Sequence, residues 1–133
     1  VALKVIFVCV ENSCRSQMAE GFARHCGVGK IEAFSAGTQP AQQVNILAVE
    51  VMEEVGIDIS TQKPKRIKET GVALFDVAVT MGCITAEQAC PLVPAKEVVE
   101  WNIPDPKGKP IEFFREVRDR IHAEVGALLK EIE

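Results

Sequence analysis

From Leu3 to Cys9 every residue but Lys4 is apolar, and β-branched side chains are frequent. A run this short and uniform reads as a strand buried on both faces. Such a strand needs cover on both sides of its sheet, which restricts the chain to a few α/β architectures. The segments that follow fit that restriction. Glu11 to Ser16 is polar and small, and a helix is predicted from about Ser16. Met18, Phe22 and Cys26 form its apolar stripe, with Gly27 as the stop. Ile31 to Ser35 reads as a short strand ending at Ala36-Gly37. Val44, Leu47, Ala48, Val51, Met52 and Val55 give a helical face stopped at Gly56. Val72 to Thr80 reads as a buried strand, with Asp76 marking its beginning. A last short strand is expected at Val98 to Trp101.

Between these lie loop-like stretches at 82–94 and 103–110, the second stiffened by Pro104, Pro106 and Pro110. The chain closes on a long helix from Ile111 to Ile132, with Arg115–Asp119 and Glu116–Arg120 expected to pair on its exposed face. Strands alternating with helices imply a parallel sheet covered on both faces. Ligands of such sheets bind beyond the carboxyl ends of the strands. The segments after Cys9 and after Thr80 are therefore the places to look.

At 133 residues the chain is one domain, 1–133, since halving it would leave neither part a good core. The longest apolar run, Val5 to Val10, has six residues against the ~20 of a membrane-spanning helix. No membrane association is expected. The first residues make a poor signal peptide and a good strand. Fifteen basic against nineteen acidic residues give a net charge of −4, which argues against nucleic-acid binding. A local site can still oppose the global charge and take an anion. Five cysteines, at 9, 14, 26, 83 and 90, are an odd number for a secreted disulfide scaffold, so a cytoplasmic location is expected.

Cys9-Val10-Glu11-Asn12-Ser13-Cys14-Arg15-Ser16 is the most informative segment. A cysteine ends a buried strand, five residues follow, and an arginine opens a helix. The N–H groups of Val10, Glu11, Asn12, Ser13, Cys14 and Arg15 can curl around a tetrahedral oxyanion at the positive end of the helix. Arg15 can hold two anion oxygens in a fork. The same field favours the Cys9 thiolate, and such surroundings take a cysteine pKa from about 8.5 to roughly 3.5–7.5. Ser16 can donate to the sulfur, and Asn12 can brace the loop. A buried strand cysteine beside a surface arginine would show the same spacing; the strand–loop–helix junction favours the catalytic reading.

Cys83 and Cys90 flank a loop, and a reversible disulfide between them needs Cα atoms within about 7 Å. Two unrelated small residues are the alternative. Zinc is disfavoured and no metal is expected, because His25, His122 and Cys14 lack zinc-site spacing. Asp105, held between two prolines, could act as a general acid or be an ordinary turn aspartate. Cys26 continues an apolar stripe and is expected in the core, and His122 at the polar edge of the last helix.

Val8 to Gly21, VCVENSCRSQMAEG, resembles the signature of arsenate reductases built on the low-molecular-weight protein tyrosine phosphatase fold. Phe34-Ser35-Ala36-Gly37 is similar to that family's second strand end. Val79-Thr80-Met81-Gly82-Cys83 with Cys90-Pro91 resembles the redox pair of its thioredoxin-coupled branch, and Trp101 to Asp105-Pro106 its acid loop. The resemblance runs nearly end to end. It implies a three-layer α/β fold with a four-stranded parallel sheet flanked by helices. It also implies Cys9 as nucleophile, Arg15 as oxyanion binder, Ser16 as thiolate stabiliser, Asp105 as general acid, and Cys83 and Cys90 as resolving cysteines. The implied reaction is reduction of arsenate to arsenite through an intramolecular disulfide cascade. No bound cofactor is expected, and thioredoxin or another thiol is the implied external reductant. The expected ligands are arsenate and other tetrahedral oxyanions, and the expected state is a monomer. The rival readings are a low-molecular-weight phosphatase, a reductase served by a small thiol, and a non-catalytic oxyanion sensor.

The chain departs from the family at three places. Glu11 stands where glycine is usual, and a carboxylate there must point away or be paired. Lys65 aligns with an acidic residue through which some relatives bind potassium, so no structural potassium is expected. Lys107-Gly108-Lys109 follows the acid-loop Asp-Pro where true phosphatases carry tyrosines, and this chain has none.

Overall fold

The computed structural model describes residues 2–81 and 93–132, so Cys83 and Cys90 lie outside the described residues. Its elements run β1 (Leu3–Cys9), α1 (Arg15–Cys26), β2 (Ile31–Gly37), α2 (Ile46–Glu53), a 3-10 turn (Ile67–Thr70), β3 (Phe75–Thr80), β4 (Ala95–Glu100) and α3 (Ile111–Ile132). The four strands form one sheet in the order β2-β1-β3-β4. All three pairings are parallel. β1 is central, pairing with β2 from Leu3↔Ile31 to Cys9↔Gly37 and with β3 from Val5↔Val77 to Val8↔Thr80. The chain leaves β1 for one side and returns as β3 on the other. That reversal opens a crevice at the carboxyl ends of the two strands.

Alternation along β1 sends its side chains into two clusters. Val5 and Phe7 pack against Met18 and Phe22 of α1, Met52 of α2, and Phe114 and Ile121 of α3. Ile6 and Val8 face a smaller cluster with Phe75, Ala78 and Val93, joined by Phe34, Ile67 and Val98. Phe7, Phe22, Phe75 and Phe114 are among the largest fully buried side chains. Each contributes about 1.5–3 kcal/mol by leaving water. His122, exposed on α3, stacks on the Phe22 ring with centroids 4.5 Å apart.

Three local expectations change. Cys26 is exposed, not core. Each step of four residues turns the helix about 40° past a full turn, so the stripe of Met18 and Phe22 has rotated outward by the last residue of α1. Arg115 does not pair with Asp119; it reaches Glu54 at the end of α2, with its Nη2 2.8 Å from Oε2. Asp119 instead takes the Nε of neighbouring Arg118 at 2.9 Å. Arg118 is itself buried and donates to Val51 O at 2.9 Å and Glu54 Oε1 at 2.8 Å. Both arginines hold the Glu54 carboxyl down at about 2. The last strand begins at Ala95 rather than Val98, because an edge strand tolerates charged residues such as Lys96 and Glu97, both exposed.

Candidate active site

β1 delivers Cys9 to the crevice, and residues 10–14 turn the chain into α1. The turn is fixed from outside through its carbonyls. Cys9 O accepts from Thr38 N–H at 3.3 Å, Val10 O from Gln39 at 2.8 Å, Glu11 O from Ala41 at 2.9 Å and Ser13 O from Asn45 at 2.9 Å. Cys14 O accepts from Met18 N–H at 3.0 Å, and Asn12 O from Gln17 Nε2 at 3.0 Å. None of the N–H groups of residues 10–14 donates to backbone among the described residues. The N-cap residue of α1, Cys14, makes no side-chain cap, and the first turn carries no acidic residue. A row of N–H groups beside an uncapped helix start is suited to an anion.

Two residues make this turn sterically feasible. Asn12 has φ 53°, a left-handed conformation that asparagine tolerates. Its Nδ2 donates to Ser16 Oγ at 2.7 Å and its Oδ1 accepts from Lys65 N–H at 3.0 Å. Asn12 thus braces the loop as expected, through Ser16 and the backbone of Lys65. Lys65 Nζ lies 3.5 Å from Ser35 O, while Glu20 accepts from Ser35 Oγ and pairs with Arg24. Gly37 lies against the turn so closely that a Cβ there would sit 2.5 Å from Val10 O.

Arg15 joins the three segments that meet at the crevice. Its Nη1 donates to Met81 O at 2.6 Å and to Ile103 O at 2.8 Å. Its Nη2 lies 3.5 Å from the Cys9 sulfur and 3.7 Å from Asp105 Oδ2. Its Nε is buried with no hydrogen-bond partner among the described residues. An unmet buried donor is costly, and an oxyanion oxygen would satisfy it. Ser16 is fully buried. Because its oxygen accepts from Asn12, its own proton is left for another acceptor.

The cavity so formed has a volume of about 80 Å³. Cys9 and Arg15, 6 % and 5 % exposed, lie at its floor. Asp105 and Lys107, each with a side chain 54 % exposed, and Glu11 at 39 %, form its rim. The guanidinium and the helix start favour thiolate at Cys9. Cys14 lines the same cavity, yet burial pushes its thiol up to about 11, against a weaker opposing contact from Ser13. The departure at Glu11 resolves as a pairing: Lys107 Nζ reaches both its carboxylate oxygens, at 2.8 and 2.6 Å. A larger cavity of about 550 Å³ near residues 42–49 and 60–64 has no cysteine among its described lining residues. No three His, Cys, Asp or Glu side chains gather into a metal-binding group among the described residues. No described helix is long and apolar enough to cross a membrane.

The crevice therefore brings together Cys9, residues 10–14, Arg15 and Asp105, with Ser16 behind the loop. The carbonyls of Met81 and Ile103, the amide of Gln17 and the backbone of Lys65 also hold the site, and sequence reading missed them. Backbone acceptors carry no residue signature. Lys107 had one available signal, an opposite charge to Glu11 in the other loop.

The described geometry has close counterparts. A "Glutaredoxin arsenate reductase" of Synechocystis sp. is 42% identical over 130 residues, spanning 97% of this chain and 98% of that protein. The solved structure of "an arsenate reductase in the phosphate binding state" is 40% identical, with a TM-score of 0.87, covering 98% of this chain and 99% of the other. A thioredoxin-dependent arsenate reductase of Corynebacterium glutamicum is 30% identical, with a TM-score of 0.80, over 98% of this chain and 62% of the other. Residues 4–133 match the profile of one family throughout. With its four-stranded parallel sheet and its cysteine–arginine turn, the chain belongs to the low-molecular-weight phosphotyrosine protein phosphatase family.

Proposed function

We propose that this chain reduces arsenate to arsenite, with Cys9 as the attacking thiolate. The Arg15 guanidinium carries the reading: one nitrogen lies 3.5 Å from the Cys9 sulfur, and the buried Nε–H awaits a partner among the described residues. A tetrahedral oxyanion is the ligand that meets both needs. Relatives named arsenate reductases, 42% and 40% identical over nearly the whole chain, favour arsenate over a phosphate ester.

The Cys9 thiolate attacks arsenic while Asp105, on the rim, protonates the departing hydroxide, which leaves as water. The Cys83 thiolate then attacks the Cys9 sulfur. The S–As electron pair stays on arsenic, which departs as arsenite, and a Cys9–Cys83 disulfide forms. Cys90 attacks Cys83 and releases Cys9 as thiolate. An external dithiol protein of the thioredoxin or glutaredoxin class reduces the Cys83–Cys90 disulfide; we assign this role to thioredoxin. Ser16 stabilises the Cys9 thiolate. Such chemistry needs a reducing compartment, so we place the protein in the cytoplasm, acting as a monomer.

The second reading is hydrolysis of a phosphomonoester, favoured by the family's description as a phosphatase. There water resolves a phosphocysteine and Cys83 and Cys90 are idle. A single-turnover arsenate assay with disulfide mapping separates the two. Cys90→Ser completes one round, leaves a Cys9–Cys83 disulfide and then stalls with either dithiol protein. Cys83→Ser releases no arsenite. Neither change affects aryl phosphate hydrolysis. Many turnovers of arsenate in both variants would remove the cascade, and a parent that hydrolyses phosphate but never reduces arsenate would establish the phosphatase.

A further inference from the structure

The cavity above Cys9 is narrow, and two opposite charges from different loops meet across its rim. Glu11 comes from the anion turn and Lys107 from the loop that carries Asp105. Lys107 Nζ reaches both Glu11 carboxylate oxygens, at 2.8 and 2.6 Å, while its backbone N–H donates to Asp105 Oδ1 at 3.1 Å. One residue thus ties the two loops together at the rim and restrains the carboxylate beside it. Below them the space is about 80 Å³. It is small beside the cavity of about 550 Å³ near residues 42–49 and 60–64, which suits it to a small tetrahedral anion rather than to one bearing an aromatic ring.

We propose that the Glu11–Lys107 ion pair is a strap across the mouth of this cavity that selects inorganic oxyanions against their organic esters. This deepens the reductase reading and rests on the same anion site. The strap has two consequences. A bulky ester must break the pair to enter, while an inorganic anion passes beneath it. The pair also keeps either charge from acting alone on the anion. Unpaired, Glu11 would repel an oxyanion and Lys107 would attract one. Both side chains are partly exposed, so the strap is weak: pairs of this kind resist opening by roughly 1.5- to 5-fold. That range bounds the discrimination expected from it.

The test is titration calorimetry on the full chain at low salt, with inorganic phosphate and phenylphosphonate as probes. The proteins are the parent, Glu11→Gln, Lys107→Met and the double variant. In the parent, phenylphosphonate binds more weakly than phosphate. In each single variant the ratio of the two Kd values falls by about two- to fivefold, and the double variant falls no further, because the pair acts as one unit. About 1 M salt brings the parent toward the variants. Lys107→Met raises the Kd for phosphate and Glu11→Gln lowers it; a merely structural role would move both the same way. An unchanged ratio in both single variants, or additive falls in the double variant, overturns the strap. A parent that binds neither probe overturns the strap and the anion site together. A parent that shows the expected shifts but never reduces arsenate in a single turnover keeps the strap and removes the reductase reading.

Discussion

Cys9 and Cys14 stand at the two ends of one turn, and both side chains are buried. Cys9 has the Arg15 Nη2 at 3.5 Å from its sulfur. Cys14 has the Ser13 hydroxyl at 3.8 Å, and burial drives its thiol up to about 11 against the weaker opposing pull of Ser13 and Arg15. Burial by itself therefore makes an inert cysteine. What sets Cys9 apart is the guanidinium beside its sulfur, anchored by Met81 O and Ile103 O. Four residues of sequence lie between the two, and the guanidinium nitrogen comes within 3.5 Å of the Cys9 sulfur.

The strongest way to break this contrast is to exchange a serine for each cysteine in turn. Cys9→Ser should abolish turnover with arsenate and with aryl phosphate while circular dichroism shows the fold intact. Cys14→Ser should stay within about tenfold of the parent, because its thiol takes no part in the chemistry. The reverse order of effects would exchange their roles. Asp105→Asn comes next, slowing the first chemical step by roughly 10²–10⁴-fold with phosphate affinity kept. An unchanged pre-steady-state rate would return Asp105 to an ordinary turn residue.

Arg15→Lys sharpens the contrast by making Cys9 resemble Cys14. A lysine keeps the charge but lacks the fork and cannot satisfy Met81 O, Ile103 O and an anion together. A loss of roughly 10²–10³ in turnover is expected, with weaker phosphate binding by calorimetry. The smallest effect is on stability. The folded protein holds the Cys14 proton more tightly than the unfolded chain does. Its contribution is fully present below the ordinary thiol pKa of ~8.5 and is lost as pH rises toward about 11. Urea midpoints should fall over that window in the parent and fall less in Cys14→Ser.

The candidate site at the carboxyl end of β1 is legible because its parts follow one another locally: a doubly buried strand, a polar turn, an arginine at a helix start. The long helix from Ile111 to Ile132 was legible for the same reason, since one apolar stripe runs its whole length. What escaped involves partners far apart in sequence. Arg15 finds Met81 O and Ile103 O across 66 and 88 residues. Lys107 finds Glu11 across 96, and Arg115 finds Glu54 across 61, where helical spacing had suggested Asp119. Cys26 escaped for a geometric reason: a spacing of four drifts around the helix and turns the last member of the stripe into solvent. Glu11 shows the benefit of noticing a misfit, because a carboxylate beside an anion site required a partner before one was visible.

The most direct test of the account follows alkylation of each cysteine by peptide mapping as pH is raised, with and without phosphate. The account predicts that Cys9 reacts with a midpoint below the ordinary ~8.5 of a thiol, that phosphate protects it, and that Cys14 stays unmodified until the pH approaches about 11. Modification of Cys14 first, or a Cys9 midpoint at or above ~8.5 that phosphate leaves unchanged, would contradict it.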